Sequence, residues 1–510
     1  MVPAGYELCL YSGAEDGREN PAWRKALQAG ATYTTNGSLA VGSTCLNLLF
    51  WRRVADGAWA VASNEVIFPI SGLKAADGGT GSTGGDTGGG TGGTANQTLS
   101  AATQTALKAA LDARIAAGAT AEWILDLPNG NYGLLNLEGR KMPGKTVIRA
   151  QSALGAKFSG IELSGCRNIT FRSVEVDRTL GGAAAYGVRM APATDCGIEY
   201  SRIHLGGIVK NSGKSGWAPN VSYGIELNNS GTSNTERIRI HMNLLSGPAS
   251  KHIYINGAFD CEISDNISEN VGDDFIHMGW GSRVSFLRNW GPRAYYPNYD
   301  ANTGWAHNDF IQCNSQAVTV TGNVLKGNVI MHGAGGLMGN PRQGLFSSKT
   351  YADGWVFEDN IVCSNSVHGI TLTPNITGTR AYKNTLLRCI DAPGDQMKVK
   401  FQLDGTNVDA GLNVQCSHSG DTALGANGLN IVTASNLEAS LAYYANPRMA
   451  SSFYDLRPLA GAVTHWNYAG QPKGAYQRFR DVIENGAYPK IGPAATAWKT
   501  WYDPNNQITS

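Results

Sequence analysis

A chain of 510 residues with 64 glycines and abundant Asn, Ser and Thr suits many short strands joined by turns better than a helical bundle. Its 41 basic and 40 acidic side chains leave a net charge of +1, without the basic footprint that nucleic-acid binders use to neutralise phosphates, so no nucleic-acid partner is expected. No window is long and apolar enough for membrane insertion, and Met1–Tyr11 lacks the basic-then-apolar order of a standard secretion signal.

Residues 1–76 read as a small β-rich module, with Tyr6–Tyr11, Cys45–Trp51, Trp59–Ala62 and Glu65–Ile70 as strands. Residues 77–96 are dominated by Gly and Thr, a composition that buries nothing and reads as a flexible tether. A helix follows, because Leu107, Leu111 and Ile115 recur every four residues in an Ala-rich run from about Ser100 to Gly118. Two strands come next, Trp123–Leu127 and Tyr132–Leu137, broken by a turn at Pro128, Asn129 and Gly130.

From about residue 165 a short pattern recurs, an inward apolar residue, two polar residues, then Asn. It ends at Asn243, Asn266, Asn289, Asn323, Asn360 and Asn384, with earlier copies ending at Val174 and Ile203. The basic period is 23 or 24 residues, lengthened in some copies by insertions, and a period of this size marks a solenoid. The asparagines read as an interior amide ladder that satisfies turn backbone groups. Cys166, Cys196 and Cys261 stand just before predicted strands and read as buried free thiols. There is no CxxC pair and no Cys/His cluster with zinc spacing, so neither a metal nor a cofactor is expected.

A second strand in each period (GVRM, GIEL, HIYI, FIHM, FIQC, GLFS, GITL) turns its first and third variable positions inward. The residue between them then faces outward, which gives one column: Arg189, Glu226, Tyr254, His277, Gln312, Phe346 and Thr371. The densest chemistry lies in VGDDFIHM and WAHNDFIQC, on consecutive coils, with Asp274 beside Asp309 and His277 beside Gln312. Carboxylates one coil apart stand near the ~5 Å separation of retaining glycosidases, and paired carboxylates raise one pKa. Asp273, Asp274, Asp309, His277 and His307 are therefore the catalytic candidates. Arg189, Glu226, His252, Tyr254, Gln312 and Trp305 are the substrate-binding ones. The plain alternatives are Asp at a strand start capping a turn, with Asp274 and Asp309 on the inward side by parity, and His252 and His307 as hydrogen-bonded turn residues. Lys251 and Arg283 would suit a lyase, since a cation beside the substrate carboxylate stabilises the carbanion. Insertions at 205–222, 292–304 and 332–351 bring Trp217, Tyr295, Tyr296, Tyr299 and Trp305, aromatics that suit the walls of a sugar groove.

ALKAALDARIAAGATAEWILDLPNGNYGL and the closing ANPRMASSFYDLRPLAG resemble the start and end of pectate-lyase-like β-helix proteins. The resemblance implies an all-β, right-handed parallel β-helix over 97–465 with an N-terminal capping helix, followed by a C-terminal segment, 466–510, of no assigned role. VGDDFIHM is similar to the paired-aspartate motif of polygalacturonases, implying Asp273 and Asp274 acting on a glycosidic bond, although the rest of that pattern is missing. A front module joined to a capped β-helix also resembles bacteriophage tailspikes and depolymerases. That resemblance implies a homotrimer in the virion tail, residues 1–76 attached to phage tail or baseplate proteins, and a host polysaccharide as partner. A free bacterial polysaccharide lyase, glycoside hydrolase or epimerase, secreted without a standard signal peptide, and a noncatalytic receptor-binding adhesin remain as alternatives.

Overall fold

A computed structural model describes residues 6–14, 25–27, 45–53, 59–61, 95–181, 185–206, 221–229, 234–247, 249–271, 274–294, 309–314, 319–331, 343–364, 368–388, 400–411, 413–415, 417–418, 431–432, 444–446 and 455–458. The chain divides into two compact units, 1–94 and 95–510. In the first, the strand Tyr6–Ala14 pairs antiparallel with Lys25–Leu27 and with Cys45–Arg53, which in turn pairs with Trp59–Val61. The expected strand Glu65–Ile70 lies outside the described residues.

The second unit is a parallel β-solenoid. Among the described residues, twelve short strands form one of its parallel sheets and twenty-six another, and Tyr444–Asn446 pairs antiparallel with Asp455–Pro458 in a small third sheet. The solenoid begins at Ala95–Thr98, which pairs in parallel with Trp123–Leu127, so residues 95 and 96 belong to the first coil rather than to the tether. The helix spans Gln104–Ala116, later than the composition suggested, because Thr103 is its N-cap and its hydroxyl accepts from the Ala106 N–H at 3.2 Å. The predicted stripe holds: Leu107 and Leu111 are wholly buried in the solenoid core, with Ile115 packed against it. No helix among the described residues is long and apolar enough to cross a membrane.

The amide ladder is present with one corrected rung. Asn243, Asn266, Asn289, Asn328, Asn360, Asn384 and Asn413 are all 0% exposed. In this column each backbone N–H and side-chain amide donates to the Oδ1 of the next rung, as in Asn266 to Asn289 at 3.1 Å for both bonds. Asn323, expected as a rung, is buried in a different turn, where it accepts from Val284 N–H at 2.8 Å and donates to the Gly281 carbonyl at 3.1 Å. Asn328 takes its place. In an earlier coil the rung is Ser201 rather than Ile203, with Val174 N–H donating to its hydroxyl and its own N–H donating to Asn243.

Cys166, Cys196 and Cys261 are buried free thiols. Burial pushes Cys166 up to about 11 and Cys196 and Cys261 up to about 12. None of the three is expected to react with iodoacetamide at mildly alkaline pH until the protein is unfolded in guanidinium. Peptide mass spectrometry checks this, and native modification at the rate of a small thiol would refute the packing.

Candidate functional site

The strand register builds the predicted column without a gap. Arg189 pairs with Glu226, Glu226 with Tyr254, Tyr254 with His277, His277 with Gln312, Gln312 with Phe346, and Phe346 with Thr371. Glu162 extends it before Arg189 and Gln402 extends it after Thr371. Exposure is uneven: Arg189, Tyr254, His277 and Gln312 are partly exposed, whereas Glu226 and Thr371 are buried.

Both aspartates are buried, as strand parity placed them, but strict alternation fails just before the column. Phe275 and Ile276 are both wholly buried, as are His252 and Ile253 one coil earlier, and Phe310 with Ile311 one coil later. Two successive inward residues break the alternation of a flat strand. In neighbouring coils the first of the two is glycine, and a Cβ on Gly224 would stand 2.5 Å from the His252 carbonyl oxygen. Asp274, although buried, reaches His277, its Oδ2 lying 2.8 Å from the His277 Nδ1.

Asp274 is the centre of the cluster. Its Oδ1 accepts the Asp309 backbone N–H at 3.0 Å, and its Oδ2 is also 3.1 Å from the Lys251 ammonium. Its side chain is only 1% exposed, against 16% for His277 and 15% for Lys251. Asp309 is likewise 0% exposed. The expectation that both aspartates meet substrate directly is therefore corrected: they lie on consecutive coils, as the register required, but beneath the surface. A carboxylate only accepts, so the proton between Asp274 and His277 sits on Nδ1, and Nε2 is the ring nitrogen not committed to Asp274. Tyr254 lies beside His277 with ring centroids 5.6 Å apart and stacks on Tyr223 at 4.4 Å and 9°. Burial, with smaller contributions from Tyr223 and Glu226, raises the Tyr254 hydroxyl above its ordinary range, while Lys251 opposes this. Tyr254 is thus a protonated hydroxyl near neutral pH.

Glu162, Arg189 and Glu226 form an ion-pair ladder on the preceding coils, with Arg189 at 3.1 Å from Glu162 and 3.2 Å from Glu226. The Tyr186 hydroxyl donates to Glu162 at 2.7 Å, and the Asn228 amide donates to Glu226 at 3.0 Å. His252, expected to bind substrate or shuttle protons, is 0% exposed and holds Ser268 Oγ at 2.8 Å and the Gly247 carbonyl at 2.9 Å, so it is a structural residue of the turn. Arg283 is also removed from the patch: it pairs with Asp260 through two nitrogens, at 2.5 and 2.9 Å, in another turn. Asp273, His307, Trp305, Trp217, Tyr295, Tyr296 and Tyr299 lie outside the described residues. The three long connections lead from strands of the twelve-stranded sheet, Arg202–His204, Trp290–Ala294 and Val329–Met331, into strands that carry the column. Sequence reasoning missed Tyr186 and Tyr223, which share the register column of Lys251, Tyr186 pairing with Tyr223 and Tyr223 with Lys251. Their signal was an aromatic or charged residue three positions before each column residue.

No family model matches the chain, and no curated protein matches it. Among solved structures it is similar to a mannuronic-acid-specific polysaccharide family 6 lyase from human gut microbiota, at 14% identity over 64% of this chain and 76% of that one, with a TM-score of 0.38. It is similar to the Azotobacter vinelandii mannuronan C-5 epimerase AlgE6 A-module at 12% identity, covering 64% and 94%, with a TM-score of 0.34. It is also similar to the Dettilon tailspike protein at 12% identity, covering 66% and 63%, with a TM-score of 0.36. All three are β-helix folds, and no residue role passes from them to this chain.

Proposed function

We propose that the protein acts on an acidic polysaccharide by base-initiated chemistry at His277, most simply β-elimination beside a uronate. The observation that carries this reading is the buried Asp274 carboxylate holding His277 Nδ1, with Lys251 and Tyr254 around it. Glycoside hydrolysis by paired carboxylates needs both to reach the sugar. Asp274 and Asp309 are each 0% exposed, which supports assigning the accessible chemistry to the histidine and tyrosine.

In β-elimination His277 Nε2 takes the C5 proton α to the uronate carboxylate, and the Lys251 ammonium offsets the charge that develops on that carboxylate. The C4–O bond then breaks as the C4–C5 double bond forms, and the Tyr254 hydroxyl gives its proton to the departing sugar oxygen. Reprotonation at C5 from the opposite face, without C4–O cleavage, would be epimerisation at the same site. Asp274 is a positioning residue, fixing the ring and its tautomer.

A panel of acidic and neutral polysaccharides, read by ultraviolet absorbance of unsaturated uronates and by reducing ends, tests this. Both signals should rise together on an acidic polymer. Reducing ends without unsaturation would establish hydrolysis instead, and binding with neither would establish an adhesin.

The architecture also supports placing the protein in a phage tailspike. In that reading the solenoid winds right-handed, the helix Gln104–Ala116 covers its first coil against edge pairing, residues 1–76 attach to tail proteins, and three copies assemble. The supporting observation is a separate β unit before a glycine-rich tether. A monomer by sedimentation equilibrium would count against it.

A further inference from the structure

Resting on the β-elimination reading, we infer that the sugar expelled in the reaction lies in a notch that Gly279 leaves beside His277, where one of its hydroxyls donates to Asn256 Oδ1. Gly279 stands two residues after His277 in the strand Asp274–Ser282 and is partly exposed. It is the extra residue of a bulge, since Met278 pairs with Ile255 and Trp280 with Asn256. Neither the bulge nor the backbone calls for glycine: its φ lies outside the left-handed region, where alanine would serve a strand better. A Cβ there would stand 3.3 Å from Asn256 Oδ1, 3.5 Å from the Ile255 carbonyl oxygen and 3.8 Å from the Tyr254 hydroxyl. What the glycine withholds is a side chain from the space between those two polar side chains, and a strand glycine without a conformational duty leaves room for close approach.

The orientation of Asn256 follows from charge. Glu226 pairs with Arg189 and its carboxylate only accepts, so the Asn228 atom that meets it at 3.0 Å is the amide nitrogen. Asn228 Oδ1 then accepts from the Asn256 amide nitrogen at 3.1 Å, which leaves Asn256 Oδ1 as an acceptor on the Gly279 side. The notch thus offers this acceptor and the Tyr254 hydroxyl, a pairing that fits a sugar carrying hydroxyls. Along the two strands the order is Lys251, then Tyr254 with His277, then Asn256 with Gly279. Elimination needs the same order: the uronate carboxylate at Lys251, C5 at His277, the departing oxygen at Tyr254, and the sugar attached to that oxygen one step further along. The cleaved bond accordingly runs along the strands, across the stack of coils.

The test uses the full-length protein and a uronate polymer that it eliminates, with polymannuronate and polygalacturonate as the first probes. Gly279→Ala should lower kcat/KM by about tenfold to a hundredfold, the range expected when a reacting group is held off by up to about 1 Å. Its guanidinium midpoint should stay at or above that of the wild type, since alanine at a compatible backbone position stabilises relative to glycine. Asn256→Ala should cost about three- to tenfold, the size of one hydrogen bond, and the double variant little more than Gly279→Ala alone, because both act on the same sugar. Undiminished turnover by either single variant, a loss matched by a lowered midpoint, or fully additive losses would overturn the inference and leave the elimination chemistry standing. If no uronate polymer is eliminated, the elimination reading fails, and equilibrium binding of the two probe polymers reads the notch by itself. Gly279→Ala should then weaken binding about tenfold; unchanged binding, or none by the wild type, overturns the notch as well.

Discussion

His277→Ala is expected to lower turnover of the identified polysaccharide by about 10²- to 10⁴-fold, the usual contribution of a general acid or base, while the protein stays folded and still binds the polymer. The expectation follows from position. His277 is the titratable group of the cluster whose ring is tied by one nitrogen, Nδ1, to a wholly buried carboxylate and whose side chain still reaches the surface. Asp274→Asn should lower kcat with little change in KM, because an amide can present its own donor to Nδ1 and so release the ring from the required tautomer. Tyr254→Phe should act on the same step by removing the proton donor. Steady-state kinetics with circular dichroism as a folding control decide the matter, and His277→Ala protein that is folded and retains near wild-type turnover would move catalysis to another part of the chain.

Asn289→Ala is expected to cost about 3 kcal/mol or more of stability, far beyond a surface substitution. The side chain accepts both the N–H and the amide of Asn266 at 3.1 Å, and donates to the Ile263 carbonyl at 2.8 Å and to Asn328 at 3.1 Å. Truncation leaves these groups buried without partners, and each buried unsatisfied group costs about 1–3 kcal/mol. The loss falls in the middle of a stack in which each coil is held mainly by its neighbours, so it should open the adjoining coils together. Guanidinium titration of the full-length protein, with hydrogen exchange at Asn266 and Asn289, measures this. Arg283→Ala, which removes an exposed pair with Asp260 and an exposed guanidinium over the Phe259 ring, serves as the control and should leave the midpoint much nearer that of the wild type. Equal midpoints for the two variants would show that the ladder is not what holds the coils in register.

The sequence alone determined the solenoid, its outward column and most of its amide ladder, because each is a periodic property. Inward apolar residues at fixed spacing must stack, and a residue at a fixed offset from them must then form a line, which is how Arg189, Glu226, Tyr254, His277 and Gln312 came to be placed correctly. Three things were decided only by the tertiary structure. Asn323 and Asn328 stand five residues apart, both wholly buried, and it is the pairing of Phe286 with Leu325, three residues before Asn328, that puts Asn328 rather than Asn323 in the ladder. The contact of Asp274 with His277 comes where Phe275 and Ile276 are buried in succession, an irregularity that a period-two rule has no means of expressing. Most consequential for function, burial separated side chains of similar chemistry: His252 and His277 occupy adjacent coils of one column region, yet the first is sealed between Ser268 and Gly247 while the second reaches the surface. Periodicity fixes which direction a residue faces, but its depth depends on the neighbours stacked above and below it, and those come from coils distant in the chain.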